Sequence, residues 1–243
     1  DKKEPSDNCD DYRLRYITDV RYENGQPFIN RFSMGYEDDG KLITRYTIFN
    51  ADTFPSDYAK LNNDGQVIEY GNVPHPSSPT LRTDYFYQSG QVTESQYWSS
   101  ISPGAPIQLA QTSFYYYTNG LLTKIENYAP NQSDIASQID QYYEGNAKIQ
   151  VHYGLPNHDT LTAYKVHFSN IPNPLKELES PIYYFGDLYL IDTLYTKQPD
   201  GIYKPISFFE YETEDNRVLR AKTYQMGNPV ELTRDIVYEY ECY

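Results

Sequence analysis

The chain has 243 residues, 34 acidic against 20 basic for a net charge of -14, and its apolar surface sits largely on 28 tyrosines and 10 phenylalanines. That charge repels duplex DNA, single-stranded RNA and anionic lipid at long range, and no run approaches the roughly 20 apolar residues that a membrane-spanning helix requires. The composition predicts an all-β protein with no nucleic-acid partner, long enough to bury a core as one large domain.

Residues 1–11 are charged and proline-containing. Such a stretch cannot bury enough surface to stay ordered, and it reads as a flexible N-terminal tether from which something upstream has been removed. A single β domain is expected over 12–243.

Along that domain, turn signals recur at Asn24-Gly25, Asp39-Gly40, Asp64-Gly65, Ser89-Gly90 and Asn119-Gly120, with Glu144-Gly145, Asp200-Gly201 and Asp215-Asn216 as later variants. Each supplies a residue that tolerates positive φ, as tight hairpin turns demand. An aliphatic residue follows shortly after several of these turns (Leu42, Val67, Val92, Leu122, Val218), and a tyrosine a few positions later (Tyr46, Tyr70, Tyr97, Tyr128, Tyr224). The hairpin is therefore a repeat.

Turn type fixes register. Two-residue turns at Ser89-Gly90 and Asn119-Gly120 place Tyr87 opposite Val92 and Tyr117 opposite Leu122. Three-residue loops with a glycine bulge at Asp39-Gly40 and Asp64-Gly65 would pair Tyr36 with Leu42 and Leu61 with Val67. Longer connections rich in proline, serine and aspartate are expected at 51–57, 72–80, 99–107, 129–137 and 170–181, with one short helical turn over 174–178. Tight turns at one end alternating with long loops at the other describe an antiparallel up-and-down meander, which closes naturally into a large soluble barrel.

The strand faces contrast poorly. After Gly120 one face carries Leu122, Lys124, Glu126 and Tyr128, the other Leu121, Thr123, Ile125 and Asn127. A dry sandwich needs cleaner alternation, and a membrane barrel needs a continuous apolar outer band. Two architectures fit: a barrel with a partly polar interior, or a broad single-layer sheet covered on both sides.

Few residues point to chemistry. His152, His158, Asp159 and His167 share one stretch, but a hairpin loop over 154–159 pairs Tyr153 with Thr160 and sets His152 against Leu161, leaving His167 roughly 20 Å away. Glu37, Asp38 and Asp39 form a solvated turn, because Gly35 stands where a helix-loop-helix calcium site needs an acid. No Gly-x-Ser-x-Gly elbow, His-Glu-x-x-His pair or phosphate-cradling loop occurs, so no catalytic residue, metal or cofactor is assigned. The candidate binding residues are Tyr97 and Trp98, aromatics beside a long loop of the kind sugar and peptide sites use. The alternative for Trp98 is a packed anchor at a strand end.

The units Tyr85-Phe86-Tyr87-Gln88-Ser89-Gly90 and Tyr115-Tyr116-Tyr117-Thr118-Asn119-Gly120-Leu121-Leu122 resemble the tyrosine-rich hairpins of Bacteroidetes lipoproteins in a family of unassigned function with a porin-like fold. More distantly they resemble the tyrosine-aspartate repeats of bacterial surface and toxin-shell proteins, although Gln88-Ser89 and Thr118-Asn119 stand where those repeats carry Tyr-Asp. The first resemblance implies a large antiparallel barrel, lipid-anchored to the outer membrane and facing the periplasm or cell exterior, touching membrane only through that anchor. It supplies no catalytic residues. The expected function is a cell-envelope binding module for a glycan, peptide or small ligand; the alternative is a structural or assembly partner of an envelope protein, with an enzyme the weakest reading.

Cys9 and Cys242 are the only cysteines. In a closed up-and-down barrel the first and last strands are neighbours, so a residue just before the first can reach one at the end of the last. The pair is a disulfide candidate whose formation and barrel closure imply each other; two free thiols are the alternative.

Overall fold

The computed structural model describes residues 12–49, 52–73, 80–154, 159–173, 189–215, 217–227 and 229–242. They form sixteen strands: β1 (Tyr12–Glu23), β2 (Gln26–Glu37), β3 (Leu42–Phe49), β4 (Asp52–Leu61), β5 (Val67–Asn72), β6 (Leu81–Gln88), β7 (Gln91–Ser99), β8 (Gln108–Thr118), β9 (Leu121–Tyr128), β10 (Ile135–Glu144), β11 (Ala147–Gly154), β12 (Asp159–Pro172), β13 (Tyr189–Lys197), β14 (Tyr203–Glu214), β15 (Arg217–Gln225) and β16 (Glu231–Cys242). Each is antiparallel to its chain neighbours, and β1 pairs with β16, so the sheet closes into an up-and-down barrel rather than a broad open layer.

Turn chemistry sets the register. Asn24, Ser89 and Asn119 and the glycine after each hold positive φ between 51° and 81°, which is the two-residue turn whose twist matches that of paired strands. Tyr87 faces Val92, Tyr117 faces Leu122, and Leu61 faces Val67, as the sequence predicts. At Asp39-Gly40 the expectation fails by one residue: Glu37 faces Leu42 and Tyr36 faces Ile43. Asp38 also takes positive φ, 51°, because aspartate tolerates the left-handed region, and the loop closes on four residues with the Lys41 N–H donating to the Asp38 carbonyl at 3.0 Å. Likewise Glu144 pairs with Ala147, so the central pair of that turn is Gly145-Asn146. Tyr153 does face Thr160, but Leu161 is bulged out and His152 faces Thr162.

The expected loop over 51–57 is mostly strand, because β4 begins at Asp52. Pro55, which has no N–H, is accommodated beside a bulge whose extra residue, Ser56, donates its hydroxyl to the Arg45 carbonyl at 2.8 Å. The ends of the barrel are also less regular than predicted. Connections 38–41, 62–66, 89–90, 119–120 and 145–146 lie at one end with Tyr12 and Cys242, but so do the end of β12 and the start of β13, which no tight turn joins, while the tight Asn24-Gly25 turn lies at the opposite, loop end. Residues 174–178, for which a helical turn was expected, lie outside the described residues, as do the tether 1–11 and His158.

The abundance of tyrosine has a structural cause at the turn end. Between neighbouring hairpins the backbone ladder stops early, with last pairs Tyr16–Ser33, Glu69–Asp84, Lys124–Asp140, Thr193–Phe208 and Arg220–Val237. Two residues before the first member of each pair is a carbonyl the ladder cannot serve, and three residues after the second member is a tyrosine. In all five places that tyrosine hydroxyl donates to that carbonyl: Tyr36 to Leu14, Tyr87 to Val67, Tyr143 to Leu122, Tyr211 to Ile191 and Tyr240 to Val218, at 2.6 to 3.1 Å. In each case the acceptor directly precedes a residue bulged out of the ladder on the strand's other edge. The bulge bends the strand away from the next hairpin, and the phenol spans the gap that results.

Burial pushes the Tyr87 and Tyr240 hydroxyls up to about 12. A raised pKa means that the protonated, donating form contributes stability fully below the ordinary value near 10 and loses it as pH climbs toward 12. Tyr87→Phe leaves the Val67 carbonyl without its donor and is expected to cost about 1 to 3 kcal/mol at pH 7. Urea unfolding at pH 7 and pH 11.5 checks this: the gap between wild type and variant narrows at the higher pH, and equal stability at pH 7 rejects the bridging role.

Candidate functional site

Inside and outside follow from the alternation along each strand. The outward face is charged. Lys60 pairs with Glu69 at 2.7 Å, which also accepts the Tyr58 hydroxyl at 2.7 Å; Lys124 pairs with Glu126 at 2.5 Å, which accepts the Tyr116 hydroxyl at 2.6 Å. Arg220 grips Asp235 through two bonds of 2.8 and 2.6 Å, which hold that carboxyl below its ordinary range. A lipid-facing barrel carries an apolar band, and each Lys or Arg at its midplane costs about 2 to 4 kcal/mol. This wall carries ion pairs in place of such a band.

Two cavities lined by described residues lie in the lumen above the tyrosine layer. The first, about 290 Å³, is walled by β16 and β1 to β5. Asp19, 1% exposed, accepts two bonds from Arg234 (2.8 and 3.0 Å) and one from Arg21 at 3.2 Å. Across the cavity Asp57 accepts two bonds from Arg45, at 3.0 and 2.7 Å. Ile17, Phe32, Met34, Ile43 and Tyr238 form the apolar surface between the two groups.

The second cavity, about 380 Å³, is walled by β6 to β10 and carries no charged side chain. Tyr85, Tyr97 and Tyr115 present rings, and Ser95, Gln111, Ser113 and Asn127 present polar groups. A chain of hydrogen bonds orders them: Ser113 Oγ donates to Asn127 Oδ1 at 2.8 Å, Gln111 Nε2 donates to both, and Asn127 Nδ2 donates to Ser137 Oγ at 2.9 Å. The hydroxyls of Thr83 and Tyr97 have no hydrogen-bond partner among the described residues. Elsewhere on the lumen face, Gln150 of β11 is fully buried with both amide atoms unpaired.

The candidate residues Tyr97 and Trp98 do not form one site. As consecutive strand residues they point to opposite faces: Tyr97 lines the second cavity, while Trp98 packs on the outer wall with the Arg82 guanidinium 5.3 Å from its ring. His152 and His167 are likewise on opposite faces, His152 edge-on to Tyr164 and His167 against Tyr195. Cys242 is disulfide-bonded and faces Tyr12; Cys9 lies outside the described residues. Sequence reasoning missed the lumen's ion pairs. Their signal was a charge standing in an inward, otherwise apolar series, as Asp19 does after Leu14 and Ile17.

No family model matches the chain, and no curated protein does. Among solved structures it is similar to a porin-like protein from Bacteroides uniformis, with 13% identity, TM-score 0.59 and coverage of 94% of this chain and 98% of that one. It is also similar to a porin-like protein from Bacteroides vulgatus, with 12% identity, TM-score 0.58 and coverage of 96% and 100%. At these identities the likeness is one of fold, and the chain has the porin-like barrel.

Proposed function

We propose that the chain is a binding module whose lumen takes a polyhydroxylated ligand, a glycan before a peptide. The observation that carries this reading is the second cavity: tyrosine rings, an ordered amide and hydroxyl network, no charge, and open hydroxyls on Thr83 and Tyr97. Sugars need such a surface, with rings to stack on their C–H faces and fixed donors and acceptors for their hydroxyls. The likeness to porin-like proteins of Bacteroides supports an envelope location, with residues 1–11 as the link to a lipid anchor.

A second reading, an assembly partner, is favoured by apolar side chains at the loop end: Phe49 is 66%, Leu161 68% and Ile101 88% exposed. The most exposed apolar side chains among the described residues gather at that end, which suits a protein contact.

Adjacent residues separate the lumen from the outer wall. Titrating a panel of neutral hexose tetrasaccharides by calorimetry, Tyr97→Ala is expected to weaken binding about tenfold or more, the usual scale for a stacked anchor, whereas Trp98→Ala leaves it within about twofold. A loss confined to Trp98→Ala moves the site to the outer wall, and no binding by folded wild-type protein favours the assembly reading.

A further inference from the structure

Arg21 and Arg234 stand directly opposite one another across the β1–β16 seam. Like charges in directly paired positions repel and destabilise a sheet, and here one carboxylate, Asp19, serves both guanidiniums. The placement of the charges is as informative as their number. Asp19 has a side chain 2% exposed, while Arg21 and Arg234 are 53% and 43% exposed; Asp57 is 16% exposed and its partner Arg45 38%. In both clusters the acid is set into the wall, and the guanidinium is presented to the same 290 Å³ cavity. Asp19 engages only the Nε of Arg21, and Asp57 engages the Nε and Nη2 of Arg45, which leaves both Nη groups of Arg21 and the Nη1 of Arg45 as open donors. This cavity has three arginines against two aspartates, inside a chain whose net charge is -14.

We propose that the first cavity is an anion subsite that takes the carboxylate of the lumen's ligand, so that the ligand class is an acidic, uronate-bearing saccharide rather than a neutral one. The inference rests on the lumen-binding reading above. A planar carboxylate matches the fork of N–H donors on a guanidinium, and its charge relieves the repulsion between Arg21 and Arg234. The aspartates act as positioning residues: they hold the arginine stems against the wall and leave the far edges of the forks toward the cavity. Phe32, over which the Arg45 guanidinium lies at 5.0 Å, supplies an apolar floor for the saccharide ring.

Calorimetric titration of the whole chain with a uronic-acid tetrasaccharide and with its neutral hexose counterpart tests the proposal. Wild-type protein is expected to prefer the uronate about tenfold at low salt, the yield of one charge-assisted contact, and the preference falls as salt rises. Arg21→Gln, at a more than half-exposed side chain, reduces the preference to within about twofold while neutral binding is unchanged; Arg45→Gln does the same from the other side and serves if the first variant does not fold. Equal wild-type affinities for the two sugars overturn the anion subsite while leaving lumen binding intact. A preference that survives both substitutions also overturns it, as does competition by inorganic phosphate far stronger than by acetate. Binding of neither sugar removes both readings together.

Discussion

Reduction of the disulfide at Cys242 is expected to lower the stability of the barrel by about 5 kcal/mol, the largest single loss foreseen for this chain. Cys242 ends β16 and faces Tyr12, the first residue of β1, so the bond sits at the seam where the sheet closes on itself. The sequence offers Cys9 as the candidate partner, and a bond between the two would close a loop of over 200 residues. In the chain-entropy description, loops of that length restrict the unfolded ensemble most. The seam is also where fraying begins, because β1 and β16 are the strands a linear chain unzips first. Mass analysis under non-reducing conditions should find no free thiol, and urea unfolding with and without reductant should show midpoints well apart. Two free thiols, or coincident transitions, would refute the stapled seam.

Asp19→Ala is expected to cost about 3 kcal/mol. The carboxylate is 1% exposed and accepts three hydrogen bonds from two arginines that face each other across the β1–β16 pair. Removing one partner from a buried ion cluster leaves the remaining charges uncompensated, a loss of roughly 3 to 5 kcal/mol; the partial exposure of Arg21 and Arg234 places the effect at the lower end. Asp19→Asn keeps the shape and one acceptor but not the charge, and should fall between wild type and alanine. Chemical denaturation of the three proteins ranks them. If Asp19→Ala is as stable as wild type, the cluster does not hold the seam.

How much of this was legible in the sequence differs by level. Turns such as Ser89-Gly90 were readable because their residues alone determine backbone twist, and the twist determines the register of Tyr87 against Val92. Asp38 defeated the same logic: a second residue willing to take positive φ lengthened the loop, and a dipeptide motif does not count loop residues. Pro55 suggested a loop because proline lacks the ladder's donor; only the register reveals that a bulge at Ser56 excuses it. The mixed composition of the faces was visible at Lys124 and Glu126, but which face pointed outward was not. Charge pairs across strands, such as Lys60 with Glu69, need the register before they can be recognised as an outer wall. For the candidate site, Tyr97 was found for a reason that applied equally to Trp98, the aromatic beside a long loop, and only strand alternation assigns one to the lumen and the other to the exterior. The arginine clusters were invisible for a different reason: Asp19 and Arg234 are 215 positions apart in the chain and meet only because the barrel closes.

The measurement that bears most directly on the lumen as the working surface is a crystal structure of the chain with the uronic-acid tetrasaccharide at saturating concentration. The saccharide is expected inside the barrel, its rings against Tyr97 and Tyr115 or its carboxylate at Arg21 and Arg45, with the outer wall around Trp98 bare. Saccharide bound beside Trp98 and Arg82, with the lumen filled only by water, would contradict it.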